Sequence, residues 1–410
     1  MMNDKKLTEK TREHLNVLCS QITERRVGGQ GNRQATGFVK NYFQKAGWNT
    51  EETPLQVMDW KTGGATLTGN GQSFEVFSSP YSLGCNVSGK LVAVESIDQL
   101  QSISMEGRIV LLHREIASEQ IMPKNFVFYN PDHHQRIVSL LEKGNPKAIL
   151  CATERNAATA GGVYPFPMFE DGDFDIPSVF MKDTEGVKLL ACNGSTVHLE
   201  SQAERLPEVA YNVVARKGEV NSQRIVITAH IDAKIGTPGA IDNATGVTVL
   251  LLLADLLKDY SGKHCIELVA FNGEDYYAVP GQMKYIEQNQ GAFGNICLNL
   301  NIDGAGYKDG PSCFSAFGLP ANIQNMLDQV LKYHPAIVEG KPWVQGDHSI
   351  FVQYGCPAIA VSSNWFIENM DIQDITHTPK DNLDIVNPER VGECAIAVGE
   401  LINKLEQENS

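Results

Sequence analysis

From about residue 208 onward the chain alternates two textures: short runs that are apolar at nearly every position, and longer runs with apolar residues at helical spacing. Runs of the first kind lie at 209–215, 224–230, 265–271, 296–302, 313–317 and 357–362. They are short for helices and are read as strands; strands apolar throughout belong to a sheet covered on both faces. Helical spacing predicts helices over 246–260, 279–288, 321–333, 349–354 and 388–407. This alternation predicts an α/β fold, with a mostly parallel (mixed) sheet and helices on both faces. In such sheets chemistry gathers beyond the carboxyl ends of the strands.

The first residues are also helical in pattern. Leu15, Leu18 and Ile22 share a face, and a second helix over 34–46 aligns Ala35, Phe38, Val39, Tyr42, Phe43 and Ala46, with Gly47 placed to end it. An extended stretch, 48–60, follows. Between 61 and 207 the texture changes to short β-like runs at 90–94, 108–113, 147–152 and 176–181, with one helical segment at 135–143. This predicts a compact β-rich insert and not a continuation of the α/β repeat. The expected organisation is therefore a discontinuous domain, 1–60 and 208–410, interrupted by an insert, 61–207. A chain of 410 residues is in any case long for one core.

Charge and cysteine usage narrow the function. With 34 basic and 49 acidic residues the formal charge is −15, which disfavours nucleic acid and anionic membrane as partners. The apolar run 249–254 is far short of the roughly 20 residues a spanning helix needs. The start, MMNDKKLTEK, has no apolar core after its lysines, so no secretory signal is expected. Nine scattered cysteines without a CxxC pair suit reduced thiols. A cytoplasmic location is the expectation, with oligomeric state, including a homo-oligomer, left open.

Candidate chemistry sits at the predicted strand ends. ITAHID delivers His230 and Asp232, LVAFNGED delivers Glu274 and Asp275, and LNLNIDG delivers Asp303. Asp242 in PGAIDNATG and His377 in ITHTPKDNLD come from loops. Neutral imidazole and carboxylate oxygen are zinc donors, and a two-metal site needs a carboxylate shared between the ions. Asp242 suits that bridge, leaving one histidine and one further carboxylate for each ion. A carboxylate that is not a ligand must move the water's proton, and Glu274, directly before Asp275, suits that task. Asp232, two residues beyond His230, could hold that imidazole in its ligating tautomer. Taken singly, each residue is more often a turn residue or a helix cap; Asp242 and Asn243 before an apolar helix could be no more than an N-cap.

The segments TAHID, GAIDNATG, FNGED, LNIDGAG, GDHSIF and THTPKDNLD, in this order over about 200 residues, resemble the co-catalytic zinc aminopeptidases and glutamate carboxypeptidases of the bacterial leucyl-aminopeptidase type. RRVGGQGNRQATGFVKNYFQKAG is similar to that family's opening helices. The resemblance implies the zinc-peptidase α/β fold and two zinc ions, manganese or cobalt fitting the same donors. One metal would be held by His230, Asp242 and Asp303, the other by Asp242, Asp275 and His377. Glu274 takes the base position and Asp232 that of the first histidine's partner. Asp347 and His348 of GDHSIF match a segment beside the substrate pocket; either could contact substrate, or His348 could cap the following helix. The insert, with GKLVAVE, EGRIVLLHRE, KAILCATE and DIPSVFMKDTEG, resembles a protease-associated domain.

The implied activity is metal-dependent release of terminal residues from peptides, an aminopeptidase first. The alternatives are a carboxypeptidase or dipeptidase of the same family, a glutaminyl cyclase, or a non-catalytic binding relative. Two positions depart from the family pattern. Asp275 stands where relatives usually have Glu, so the backbone must come closer or the second ion sits looser. Thr376 stands where many have Tyr, so oxyanion stabilisation must come from elsewhere. The catalytic half after the insert holds only Arg216, Arg224 and Arg390, which leans against a carboxylate-binding clamp.

Overall fold

The structure is a computed structural model that describes residues 4–219 and 222–407. Contacts divide the chain into two compact units. One comprises 1–57, 209–370 and 375–410, and the other 58–208 with 371–374; the expected boundaries were 60/61 and 207/208.

The first unit is a mixed α/β layer structure. Its sheet runs, in spatial order, Ile337–Glu339, Ser312–Phe317, Ala358–Ser363, Ile296–Ile302, Arg224–His230, Cys265–Phe271 and the last residues of the long strand Thr196–Lys217. The four neighbouring strands Ala358–Ser363, Ile296–Ile302, Arg224–His230 and Cys265–Phe271 are parallel, whereas Ser312–Phe317 and Thr196–Lys217 pair with them antiparallel. Burial explains the continuous apolar runs. Every residue of Cys265–Phe271 is buried. Ile266, Leu268 and Ala270 enter the main core, which also holds residues of helices Asp4–Asn16, Gln30–Lys45, Thr245–Leu256, Ala321–Tyr333 and Pro388–Gln407. Phe271, of opposite parity, stacks edge-on against Tyr285 at 5.2 Å, and Tyr285 in turn meets Phe351 at 5.7 Å. With side chains alternating across a strand, both faces of this strand are covered. Helix Thr245–Leu256, apolar on all sides, is buried over its first ten residues.

Several predicted elements coincide with the observed ones, and some do not. The 246–260 helix stops at Leu256, and the short strand Ile337–Glu339 carries no legible pattern. The second unit holds more strand than helix, as expected, but its core is an α/β arrangement and not a collection of β runs. Its strands Cys85–Val94, Ile109–His113, Ala148–Thr153 and Ser178–Lys182 form a parallel ladder, interleaved with helices Ile97–Ser102, Asp132–Gly144 and Asp183–Leu189. Alternate residues feed two separate cores: Val110, Leu112, Ile149 and Cys151 in one, Ile109, Leu111, Ala148 and Leu150 in the other. A sheet buried on both faces needs helices, and two of these are too short to show a helical period. All nine cysteines are free thiols. No helix among the described residues is long and apolar enough to cross a membrane.

Candidate metal centre

The register of the parallel strands sets the site. Phe271 lies opposite His230 in the ladder, so the loops after both strands leave the same edge of the sheet. His230 is the last residue of its strand, and Asp303 directly follows Ile302. Asp242 and His377 arrive from loops. The 242 loop precedes helix Thr245–Leu256, whose Gly246 amide is accepted by Asn243 Oδ1 at 2.9 Å. Asn243, and not Asp242, therefore caps that helix, and the Asp242 carboxylate is left for other partners. Asn243 is fully buried, its Nδ2 donating to Ile302 O at 2.8 Å.

The two oxygens of Asp242 serve different imidazoles. Its Oδ1 lies 3.1 Å from His230 Nε2, which is 3.6 Å from Asp303 Oδ1. Its Oδ2 lies 3.1 Å from His377 Nε2, which is 3.0 Å from Asp275 Oδ1. Donor atoms of His230, Asp242 and Asp303 fall within 4.8 Å of one another, as do those of Asp242, Asp275 and His377. Ligands about 2.0–2.2 Å from a tetrahedral zinc lie roughly 3.3–3.6 Å apart, so these spacings fit the ion with small adjustments. The donor set of two imidazoles and three carboxylates is of the kind zinc takes. The shorter Asp275 reaches His377 as closely as Asp242 does. His377 itself has φ +62°, a left-handed backbone that costs a side-chain-bearing residue of order 1–2 kcal/mol.

Electrostatics in the cluster are strong. Burial opposes charge on His230, but Asp303, Asp232 and Asp242 outweigh it and hold the imidazole pKa well above its usual value. His377 is raised in the same way, against burial, by Asp275 and Asp242. Asp242 is pulled down, its burial being overcome by hydrogen bonds from both histidines. Burial raises Glu274; Asp275, Asp303 and Asp347 add to this against the opposing His230. Crowded carboxylates thus draw positive charge into the site.

Asp232 lies beside His230 as expected, but its hydrogen bonds go elsewhere. Its Oδ1 is 3.7 Å from His230 Nδ1, beyond hydrogen-bond reach. The carboxylate instead accepts three backbone amides, Gly273 at 2.8 Å, Glu274 at 3.3 Å and Asp275 at 3.0 Å. It holds the loop that carries Glu274 and Asp275. Asp347 is buried, with Oδ1 accepting from Gln282 Nε2 at 2.7 Å and Oδ2 without a partner among the described residues. Burial and the nearby carboxylates push it up to about 7. Its loop passes beside the ligands: a Cβ at Gly346 would lie 3.3 Å from Asp303 Oδ2. His348 is tied within that loop, its Nε2 donating to Trp343 O at 2.9 Å with Trp343 and Phe317 rings against it.

Asp381 was not singled out by the sequence, although it lies within the THTPKDNLD segment. Fully buried, it accepts the Ile241 amide at 2.7 Å and the Asp242 amide at 3.1 Å. A further cluster, Glu119, His133 and His134, has metal-like spacing. There His134 Nδ1 accepts the Met122 amide at 3.1 Å. A neutral ring then carries its proton on Nε2, the atom facing Glu119, which leaves no lone pair there for an ion.

The sequence profile of peptidase family M28 matches residues 212–402, the stretch that carries all five metal-ligand candidates. Over this segment the chain is similar to peptidase family M28. Over 81% of its length the chain is 22% identical to the probable leucine aminopeptidase 2 of Aspergillus fumigatus, covering 66% of that protein. Across its first curated relatives it spans about half to two thirds of their length. An aminopeptidase from Aneurinibacillus sp. strain AM-1 superposes with a TM-score of 0.75 at 21% identity, covering 98% of this chain and 95% of that one. BSAP, a zinc aminopeptidase from Bacillus subtilis, gives 0.76 at 16% identity, over 98% and 96%. At these identities the structural likeness is one of fold.

Proposed function

We propose that the chain is a zinc-dependent aminopeptidase that releases N-terminal residues from peptides. The observation that carries this reading is Asp242, whose two oxygens turn to two separate imidazoles, each accompanied by one further carboxylate. His230, Asp242 and Asp303 would hold one zinc, and Asp242, Asp275 and His377 the other. Metal held there would supply Lewis acidity, making a water more acidic and a scissile carbonyl more electrophilic. Glu274 is outside both sets; it accepts the water's proton and returns it to the departing amine. A carboxyl raised by burial is suited to both steps. Asp232 keeps Glu274 and Asp275 in place through their amides.

The direction of attack rests on two supports. The relatives above carry aminopeptidase names. The three arginines of the catalytic half are also committed to other partners: Arg216 and Arg224 to the buried Glu267, Arg390 to the carbonyls of Tyr307, Lys308 and Gly310. None of those partners is a terminal carboxylate. The unit at 58–208 is read as a protease-associated domain outside the chemistry.

The test is to incubate zinc-loaded protein with free and N-acetylated versions of one peptide library and to follow products by mass spectrometry. Stepwise shortening of the free peptides alone is expected, abolished by chelator and reduced at least 100-fold in Glu274→Gln with zinc still bound. Cleavage indifferent to acetylation would shift the reading to a carboxypeptidase. Full activity in Glu274→Gln would remove Glu274 from the base role.

A further inference from the structure

The end of the loop that delivers Asp242 is held, over 238–242, by two residues that touch neither each other's partners nor the candidate ligand atoms. Arg25 is 1% exposed. Its Nη1 donates to Pro238 O and Leu18 O, both at 2.7 Å, its Nη2 to Gly239 O at 2.7 Å, and its Nε to Ile231 O at 3.0 Å. From the other direction Asp381 takes the next three residues. Its backbone carbonyl accepts Ala240 N at 3.3 Å, its Oδ1 Ile241 N, and its Oδ2 Asp242 N. Five consecutive residues, 238–242, are thus each fixed by one of these two side chains or their backbone. Through Ile231 O the same arginine is tied to the residue that follows His230.

We infer that Arg25 and Asp381 form a two-sided clamp, a guanidinium on carbonyls and a carboxyl group on amides, that positions the carboxylate Asp242. The inference rests on the reading of Asp242 as the carboxylate common to both ligand sets. Both are positioning residues, acting through backbone on a side chain they do not touch. The chemistry selects the residue types. A guanidinium is always charged and presents five N–H groups in a rigid fork, so it can serve four carbonyls at once; an ammonium cannot. A carboxylate offers two oxygens to two successive amides, whereas an amide side chain offers one. Gly239 completes the fit: its φ is +59°, and a Cβ there would lie 2.6 Å from Asp242 O and 2.9 Å from Arg25 Nη2.

A merely structural role would lower stability and leave metal affinity alone; the clamp predicts a change in binding. Metal-free wild type, Arg25→Lys and Asp381→Asn are titrated with zinc against a competing chelator, and their unfolding midpoints without metal are recorded. Because Asp242 belongs to both sets, both zinc-binding steps are expected to weaken together, by roughly 10–100-fold. Folded variants that bind both ions with wild-type affinity, or lose one step only, would overturn the clamp. Should Arg25→Lys fail to fold, the isosteric Asp381→Asn decides by the same criterion. A wild type that takes up no zinc would overturn the metal reading and the clamp with it, whereas normal wild-type binding with unaffected variants removes the clamp alone.

Discussion

The Asp232→Asn substitution separates two ways in which this residue could act. In the structure the carboxylate carries three backbone amides, at 2.8, 3.3 and 3.0 Å, two on Oδ1 and one on Oδ2. Asparagine retains a single acceptor oxygen. In its better orientation it keeps the Gly273 and Glu274 amides and turns an NH₂ group towards the Asp275 amide. The orphaned buried amide costs about 1–3 kcal/mol. The two surviving bonds change from a charged to a neutral acceptor, a loss of about 1 kcal/mol each. The sum of about 3–5 kcal/mol falls on the 273–275 loop, which should open locally rather than unfold the domain. Hydrogen exchange of the Gly273, Glu274 and Asp275 amides should accelerate by two orders of magnitude or more. Zinc titration should show the ion held through Asp275 weakened more than the ion held through His230 and Asp303. If exchange at those three amides stays at the wild-type rate while only the His230-bound ion weakens, Asp232 acts on the imidazole 3.7 Å away and the reasoning from its amides is wrong.

Asp275→Asn removes a carboxylate that belongs to one ligand set only, so calorimetric titration should find one zinc step weakened at least 10-fold and the other within about 3-fold; equal weakening would contradict the assignment of ligands. A pH effect comes from His14, which burial, opposed by Asp255 and assisted by Lys10, lowers to about 4 from an ordinary 6.5. A depressed folded-state pKa means the unfolded chain takes the proton first, so stability present above pH 6.5 is lost as the pH falls towards 4, a loss on the order of 2–3 kcal/mol at about pH 4.5. His14 packs edge-on against Tyr42 at 4.7 Å, so His14→Phe keeps an aromatic contact and its denaturation midpoint should fall less between pH 7 and 4.5; an unchanged fall would rule His14 out as a source of acid lability.

The catalytic sheet was legible because burial on both faces leaves an unbroken apolar run that ends where the strand does. Strands Arg224–His230, Cys265–Phe271 and Ile296–Ile302 and helices Ala321–Tyr333 and Pro388–Gln407 have the bounds their pattern predicts. Pattern failed where an element is too short to repeat its own period twice. Ile337–Glu339 has three residues, and Ile97–Ser102 and Asp183–Leu189 stop short of two turns. Without those helices visible, the parallel ladder of the second unit looked like a collection of β runs. The order of the strands in the sheet was not legible at all, since neighbours such as Arg224–His230 and Ile296–Ile302 are set by packing of distant segments.

The same division runs through the site. A residue that donates an electron pair to an ion is constrained in type, so His230, Asp242, Asp275, Asp303 and His377 stand out as histidines and aspartates at strand ends and loop turns. A residue that holds the backbone beneath a ligand is constrained only by reach, because its partners are carbonyls and amides that every position possesses. Arg25 meets Ile231, Pro238 and Gly239 across 206, 213 and 214 residues of chain, a separation at which no spacing rule operates. Asp232 shows how this misleads. Its place two residues after a ligand suggested a partner for the imidazole, yet its oxygens are taken by the amides of the neighbouring loop. Chain proximity pointed to the imidazole, 3.7 Å away, and gave no sign of the three amides that take the carboxylate's hydrogen bonds. The ligands of such a centre are therefore written in side-chain chemistry, while the accuracy with which they are held is written in hydrogen bonds that only the folded chain brings together.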